Sequence, residues 1–262
     1  MRIVVCVKQV PAINEVSIDP ETKRLKREGV ESVMNPFDLY ALEVALRMRE
    51  QVGGSVIALS MGPKQAMRTV REAIAVGADS GVLLSDRAVA GSDTWATSYA
   101  IASTVRHLGN VDLVICGKQA VDGDTAQVGP GIAAHLRWPQ VTYVSHVSAV
   151  SNTALTLARM HEEGSTVLEV TLPAVLTVVK GINQPRVPTL VSVLASRGAD
   201  VPVLSAADIG ADPERLGLNG SPTRVVKTGP PPPRAADTVI LDGPARDAAR
   251  RIVHELRMQS LV

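Results

Sequence analysis

Five short apolar runs, at residues 3–7, 56–59, 82–84, 113–116 and 174–179, limit what this 262-residue chain can fold into. Each run is apolar without alternation and rich in β-branched side chains, the pattern of a strand covered on both faces. Helical stripes lie between them: Phe37, Ala41, Val44, Ala45 and Met48 recur at helical spacing, and residues 64–75 and 94–107 repeat the pattern. Strand and helix in rotation require parallel pairing with helices on both sides of the sheet. The expected fold is therefore α/β, a mostly parallel doubly wound sheet. The length suits one core with an extension.

Local signals refine the picture. Asn35 can cap a helix, Pro36 fits its first position, and Asp38 can reach back toward the cap while favouring the positive end of the dipole. From 141 to 170 the pattern shortens to polar-apolar alternation with Ser, Asn and Gly turn signals, which predicts an antiparallel hairpin region at a sheet edge or over a face. Beyond Pro185 the regular alternation fades. Gly229-Pro230-Pro231-Pro232-Pro233, within residues 221–234, predicts an extended arm. A final helix over 244–258 carries Ala248, Ile252, Val253 and Leu256 on one face.

Composition excludes several function classes. Lys and Arg total 27 against 26 Asp and Glu, so no net field draws the chain onto nucleic acid or an anionic membrane, and 2% aromatics leaves few rings for stacking bases. No segment reaches the ~18 apolar residues of a membrane span, and the N-terminal apolar stretch is too short for a signal sequence. Cys6 and Cys116 stand alone in apolar runs, which offers no disulfide framework or CxxC site and suits a cytoplasmic protein. The five His show no metal-ligand spacing, and no nucleophile elbow is present. Chemistry in such a chain has to be carried by a cofactor.

The informative stretch is Gly117-Lys118-Gln119-Ala120-Val121-Asp122-Gly123-Asp124-Thr125-Ala126-Gln127-Val128. It follows a buried strand and precedes a helix, which puts it at the carboxyl edge of a parallel sheet, where α/β folds bind ligands. Small residues let backbone N–H groups approach an anion, and the helix behind them adds partial positive charge. An ordinary Gly- and Asp-rich turn would read the same way. The loop lacks the Lys-Ser or Lys-Thr of a Walker A motif, and Gly129-Pro130-Gly131 starts too far past the strand for a dinucleotide fingerprint. Lys8 and Met61 end two other strands at the same predicted edge, as a solvated terminus and a core filler or as neighbours of an adenine. Asp86 and Arg87, with hydroxyls at Thr94 and Thr97, form another strand-loop-helix junction suited to a pyrophosphate; there Ser92 or Asp93 can also serve as a plain cap.

Together these residues resemble the β subunit of electron-transfer flavoproteins. The resemblance is carried by Val5-Cys6-Val7-Lys8-Gln9-Val10-Pro11, Met34-Asn35-Pro36-Phe37-Asp38, Met61-Gly62-Pro63, Val76-Gly77-Ala78-Asp79, the loop from Gly117 through Gln127, Trp138-Pro139-Gln140 and Lys180-Gly181-Ile182-Asn183-Gln184-Pro185-Arg186. It runs collinearly to about residue 194. It implies an adenine-nucleotide-binding α/β domain over 1–190, and a partner-recognition segment and arm over 191–262 that packs on an α subunit. It also implies a heterodimer that shares an FAD and passes electrons from acyl-CoA-type or other dehydrogenases toward a quinone or ferredoxin acceptor. By the same resemblance the nucleotide is held by Cys6, Lys8, Asn35, Pro36, Phe37, Asp38, Met61 and the loop residues Gly117, Lys118, Gln119, Ala120, Asp122, Gly123, Asp124, Thr125, Ala126, Gln127 and Val128.

Members of that family hold either a structural AMP or, in the bifurcating type, a second FAD that accepts hydride from NADH. Asp122-Gly123-Asp124-Thr125-Ala126-Gln127-Val128 resembles the bifurcating pattern, with Asp86, Arg87, Thr94 and Thr97 as added flavin contacts. FAD is therefore the expected occupant. The segment 181–186 resembles the AMP type instead, which keeps AMP as the alternative. Asn183, Pro185, Arg186 and Leu190 are the implied partner-recognition residues, and Leu190 can equally be edge-strand packing. The stretch after Leu190 is nearly uncharged, where relatives of the AMP type carry lysines. A nucleotide-binding regulatory protein of the universal-stress type, which has the same parallel-sheet architecture, is the competing class.

Overall fold

The computed structural model describes residues 1–12, 32–226 and 238–262. Residues 227–234 of the expected arm lie outside them. The described chain divides into compact units over Met1–Arg224 and Val225–Val262.

In the first unit the order is β1 (Arg2–Cys6), β2 (Gln9–Pro11), β3 (Ser32–Met34), α1 (Pro36–Val52), β4 (Ser55–Met61), α2 (Met67–Val76), β5 (Ser80–Leu84), α3 (Thr94–Leu108), β6 (Leu113–Gly117) and α4 (Val128–Leu136). There follow β7 (Gln140–Val150), β8 (Ala154–His161), β9 (Gly164–Thr171), β10 (Ala174–Val178), α5 (Leu190–Arg197) and β11 (Val203–Leu204). Among the described residues one sheet has nine strands in the order β11-β5-β4-β1-β6-β10-β7-β8-β9, and β2 with β3 forms a separate antiparallel ribbon. Pairing is parallel from β11 through β7 and antiparallel from β7 through β9. The mostly parallel doubly wound α/β sheet with its antiparallel hairpins is therefore as the sequence predicts.

The winding direction positions the site. From β1 the chain steps outward to β4 and β5, then returns through α3 to β6 on the other side of β1. The carboxyl ends of β1 and β6 flank this reversal, and helices starting there diverge to opposite faces and leave a crevice. Alternate side chains of β1 fill the two layers. Ile3 and Val5, with Val7 just past the strand, pack with α1 and α2, whereas Val4 and Cys6 face α3 and α4. Burying a Leu or Ile such as Leu42, Leu46, Ile3 or Ile132, all wholly buried, contributes roughly 1.5–3 kcal/mol each.

Two departures have physical causes. The fading pattern past Pro185 hides α5, which rests against α2, because its apolar side chains point outward: Leu190 is 75% exposed and Val191 77%. With no stripe facing the core, no helical period shows. Leu190 therefore opens a helix, and the edge-strand reading of it is wrong. Asn35 precedes α1 as expected, and the Asp38 N–H donates to the Asn35 carbonyl at 2.9 Å, but the Asn35 side chain caps nothing and goes to the loop after β6 instead.

In the second unit, α6 (Ala245–Met258) follows Pro244 and has no buried residue, with Ile252 and Val253 exposed. Among the described residues no helix is long and apolar enough to cross a membrane.

Candidate functional site

The first wall of the crevice is built on Asp38. Its carboxylate accepts the Lys8 backbone N–H at 2.8 Å and the Asn35 side-chain amide at 2.8 Å, and the Gly117 N–H also bonds to it. The ends of β1, α1 and β6 are thus tied to one carboxyl group. Burial pushes its pKa up to about 7, against the pull of those donors and of the Lys8 charge. The Asn35 amide also donates to the Gln119 carbonyl at 2.9 Å, and its Oδ1 accepts the Val121 N–H at 3.2 Å. The motif Asn35-Pro36-Phe37-Asp38 therefore fixes the first half of the loop from α1.

Gly117 is needed at this junction. A Cβ there would lie 2.5 Å from Asp38 Oδ1 and 2.6 Å from Phe37 Cβ, with the Phe37 backbone behind them. Gly117→Ala is expected to destabilise the chain by about 1–3 kcal/mol through overpacking and to loosen the loop. Equilibrium denaturation measures this, and an unchanged midpoint would contradict the account.

The second half of the loop is exposed. Lys8 Nζ reaches both carboxylate oxygens of Asp122 at 2.8 Å, which spans the mouth of the crevice from β1 to the loop. The Gln119 amide holds Asp124 Oδ1 at 2.6 Å. Asp124 (φ 49°) and Ala126 (φ 54°) adopt left-handed backbone, and right-handed Gln127 follows. Such alternation turns successive N–H groups toward one side and makes an anion-receptive concavity. For Ala126 the conformation costs about 1–2 kcal/mol, which places strain at the loop. The first N–H groups of α4 have no side-chain cap, since Gln127 uses Oε1 to accept the Thr94 hydroxyl at 2.8 Å. At α3 the situation is opposite, because Asp93 caps the helix by accepting from the Trp95 and Ala96 N–H groups. Of the two helix starts, α4 is the one open to an anion.

The structure brings together Cys6, Lys8, Asn35, Pro36, Phe37, Asp38 and the residues from Gly117 through Val128, with Thr94 at the edge. Met61 is half-buried at the end of β4 and packs against two apolar clusters. Asp86 faces backbone, accepting the Ala88 N–H at 3.0 Å and the Ala206 N–H at 2.9 Å, so it anchors the segment near β11. Arg87 is exposed in the turn after β5. Lys118 Nζ lies over the Tyr143 ring on β7, 5.1 Å from its centroid. Asn183 and Arg186 bind α1: the Asn183 amide donates to the Tyr40 carbonyl at 3.0 Å, and Arg186 Nε donates to Glu43 at 2.8 Å.

Some features were not apparent from the sequence. Cys6 and Cys116, 110 positions apart, are register partners on β1 and β6, and the Cys6 hydrogen bond, followed by burial, raises the Cys116 thiol. A cleft of about 330 Å³ between Trp95 and Glu214, Arg215, Asn219 and Gly220 stands beside α3. Its signal was an exposed tryptophan in a first helical turn.

Fold and crevice together define a doubly wound α/β protein with an anion-receptive loop at the reversal point of its sheet. The family model for the electron transfer flavoprotein domain matches residues 22–209. The chain is 46% identical, over the whole length of both, to an electron transfer flavoprotein subunit beta of Thermoanaerobacterium thermosaccharolyticum. It is 44% identical, again over both full lengths, to the caffeyl-CoA reductase-Etf complex subunit CarD of Acetobacterium woodii. It is also 42% identical to protein FixA of Azorhizobium caulinodans, over 98% of this chain and 94% of that one. The chain belongs to the electron transfer flavoprotein family, on the β-subunit side. Membership implies an α-subunit partner and electron-transfer partners, and it sets aside the universal-stress reading.

Proposed function

We propose that this chain is the β subunit of a heterodimeric electron-transfer flavoprotein and holds an adenine nucleotide in the crevice between β1 and β6. The reading is carried by one observation: Lys8, Asn35 and Asp38 bind the loop from Gly117 through Val128 into a concavity at the sheet reversal, with the uncapped start of α4 behind it. An adenosine phosphate matches a site with one cation, oriented N–H groups and a small-residue floor. The chain itself contributes orientation: α1 sets the loop through Asn35, Lys8 balances Asp122, and α4 points its dipole at the phosphate.

FAD is the favoured occupant, and electrons then move between NADH or dehydrogenases and an acceptor by bifurcation. When bound, the flavin supplies hydride acceptance and one-electron transfer. Gly123, with open space around its Cα, and Ala126 leave room for a pyrophosphate. CarD and FixA, which match nearly the whole chain, support this type. Thr94, bonded to Gln127 at the start of α4, borders the route a longer nucleotide would take, Arg87 is proposed as a further contact from the exposed turn after β5, and Asp86 stays structural. The segment 181–186 favours AMP as the alternative, in which case the chain is scaffold for the shared FAD. Val187, Leu190, Val191 and Leu194, all more than half exposed, form the apolar ridge proposed to receive an electron partner. In the second unit, α6 is assigned to the α subunit.

The test is denaturation of the purified αβ complex and quantification of what is released. Two flavins per heterodimer are expected; one flavin with one AMP selects the scaffold reading. One flavin with no second nucleotide would overturn the crevice assignment.

A further inference from the structure

Inside β7, Tyr143 has φ 57°, a left-handed conformation that a bulky aromatic residue rarely adopts. It sits where the parallel pairing slips. Leu176 of β10 pairs with Val141 and Val178 with Val144, so two β7 residues oppose Thr177 alone. Bulges of this kind re-aim a side chain next to functional sites. Here the freed Tyr143 N–H donates to Thr177 Oγ1 at 3.1 Å, and the phenol ring turns to face Lys118 Nζ at 5.1 Å.

One partner begins the loop after β6 and the other packs beneath its far end. Lys118 is the first residue after β6, with its N–H held by the Val178 carbonyl at 2.8 Å. Thr177 is buried under the first turn of α4: a Cβ on Gly129 would lie 2.3 Å from its methyl group. The bulge therefore supports the loop where it leaves β6 and where it enters α4. We infer that Tyr143 is a positioning residue for the loop from Gly117 through Val128, its strained backbone being retained because it presents a ring face to Lys118. The inference rests on the reading of that loop as the nucleotide cradle and deepens it. A site whose contacts are mostly backbone N–H groups depends on the angle of the chain that carries them.

The test compares Tyr143→Phe with Tyr143→Leu in the full chain. Both keep a side chain with a Cβ at the left-handed position, but only Phe keeps the aromatic face. Hydrogen exchange of residues 118–128, measured without nucleotide, is expected to quicken about fivefold in Tyr143→Leu and to stay at the wild-type rate in Tyr143→Phe, the scale of one lost cation–π contact. Titration with AMP and FAD is expected to show a matching loss of affinity in Tyr143→Leu alone. Lys118→Met is expected to mimic Tyr143→Leu, with no further loss in the double variant. Equal exchange in Phe and Leu variants, or additive losses in the double variant, would overturn the assignment of Tyr143. A wild-type chain that binds neither AMP nor FAD, yet shows the exchange difference, would overturn the nucleotide reading and leave Tyr143 as the loop's support.

Discussion

Arg186→Met is expected to destabilise the chain by about 1–3 kcal/mol, because it takes one of two cations from a buried carboxylate. Glu43 on α1 has a side chain only 3% exposed, and Arg186 meets it through Nε at 2.8 Å, Nη2 at 3.3 Å and its own backbone N–H at 3.2 Å. Arg186 also reaches Glu50 at 2.7 Å, and Arg47 holds the other side of Glu43 at 2.6 Å. Burial alone would push the Glu43 pKa up; hydrogen bonds from Arg186 and Arg47 outweigh it and hold it below the usual carboxylate range. The Arg186 guanidinium is raised in turn, first by Glu50 and then by Glu43. Lysine would keep the charge but lose the fork that serves two carboxylates at once, so Arg186→Lys should recover only part of the loss. Urea denaturation of the wild type, Arg186→Met, Arg186→Lys and the double variant Arg186→Met with Glu43→Leu settles it. The double variant should lie well above the single one, and an Arg186→Met midpoint equal to wild type would remove the clamp from the account.

The clamp changes the role of a residue that the resemblance assigns to partner recognition. Arg186 is directed inward onto α1, and the exposed ridge begins at the next residue, Val187. In the proposed docking its contribution is to fix where that ridge starts. The same helix carries Asn35 and Asp38 at its beginning, so α1 joins the crevice to the ridge as one rigid element.

What the sequence made legible is what local chemistry determines. Continuous apolar runs such as Val56-Ile57-Ala58-Leu59 have one structural solution in an α/β chain, and Asn35-Pro36-Phe37-Asp38 marks a helix start from its residue types alone. The loop after β6 was visible because small residues between a buried strand and a helix are rarely accidental in number. Features hidden from the sequence depend on distant partners. Glu43 and Arg186 stand 143 positions apart, and no local rule pairs them. Cys6 meets Cys116 only once β6 returns beside β1. The insertion of β10 between β6 and β7 follows from a crossover, not from the composition of residues 174–178. Tyr143 reads as an ordinary strand residue until the bulge is seen. Local pattern found the elements and the loop after β6; non-local pairing gave that loop its supports.

Asp38 should give the chain an unusual dependence of stability on pH. A carboxyl group with an unfolded pKa near 4 and a folded value of about 7 binds more protons in the folded state throughout the interval between them. Folding stability then falls as pH rises from about 4 to about 7, by on the order of 4 kcal/mol if the group titrates alone. Glu43, held low, acts in the opposite sense: its contribution is present above its unfolded pKa and is lost as pH falls through its folded value. Asp86 and Asp93, lowered chiefly by backbone N–H bonds to the first and, against burial, by backbone and Thr223 bonds to the second, steepen the same acid limb. The two limbs place the stability maximum near pH 4–5, below the usual range. Asp38→Asn cannot titrate, and its amide must turn one N–H toward a donor. The variant should be less stable than wild type at pH 4–5, and the fall toward pH 7 that Asp38 causes should be missing from its profile. Urea midpoints of both proteins at unit pH intervals measure the difference. A wild-type midpoint that runs parallel to the Asp38→Asn one between pH 5 and pH 7 would mean that Lys8, Asn35 and Gly117 hold Asp38 ionised, and that the crevice carries one more negative charge toward any phosphate it receives.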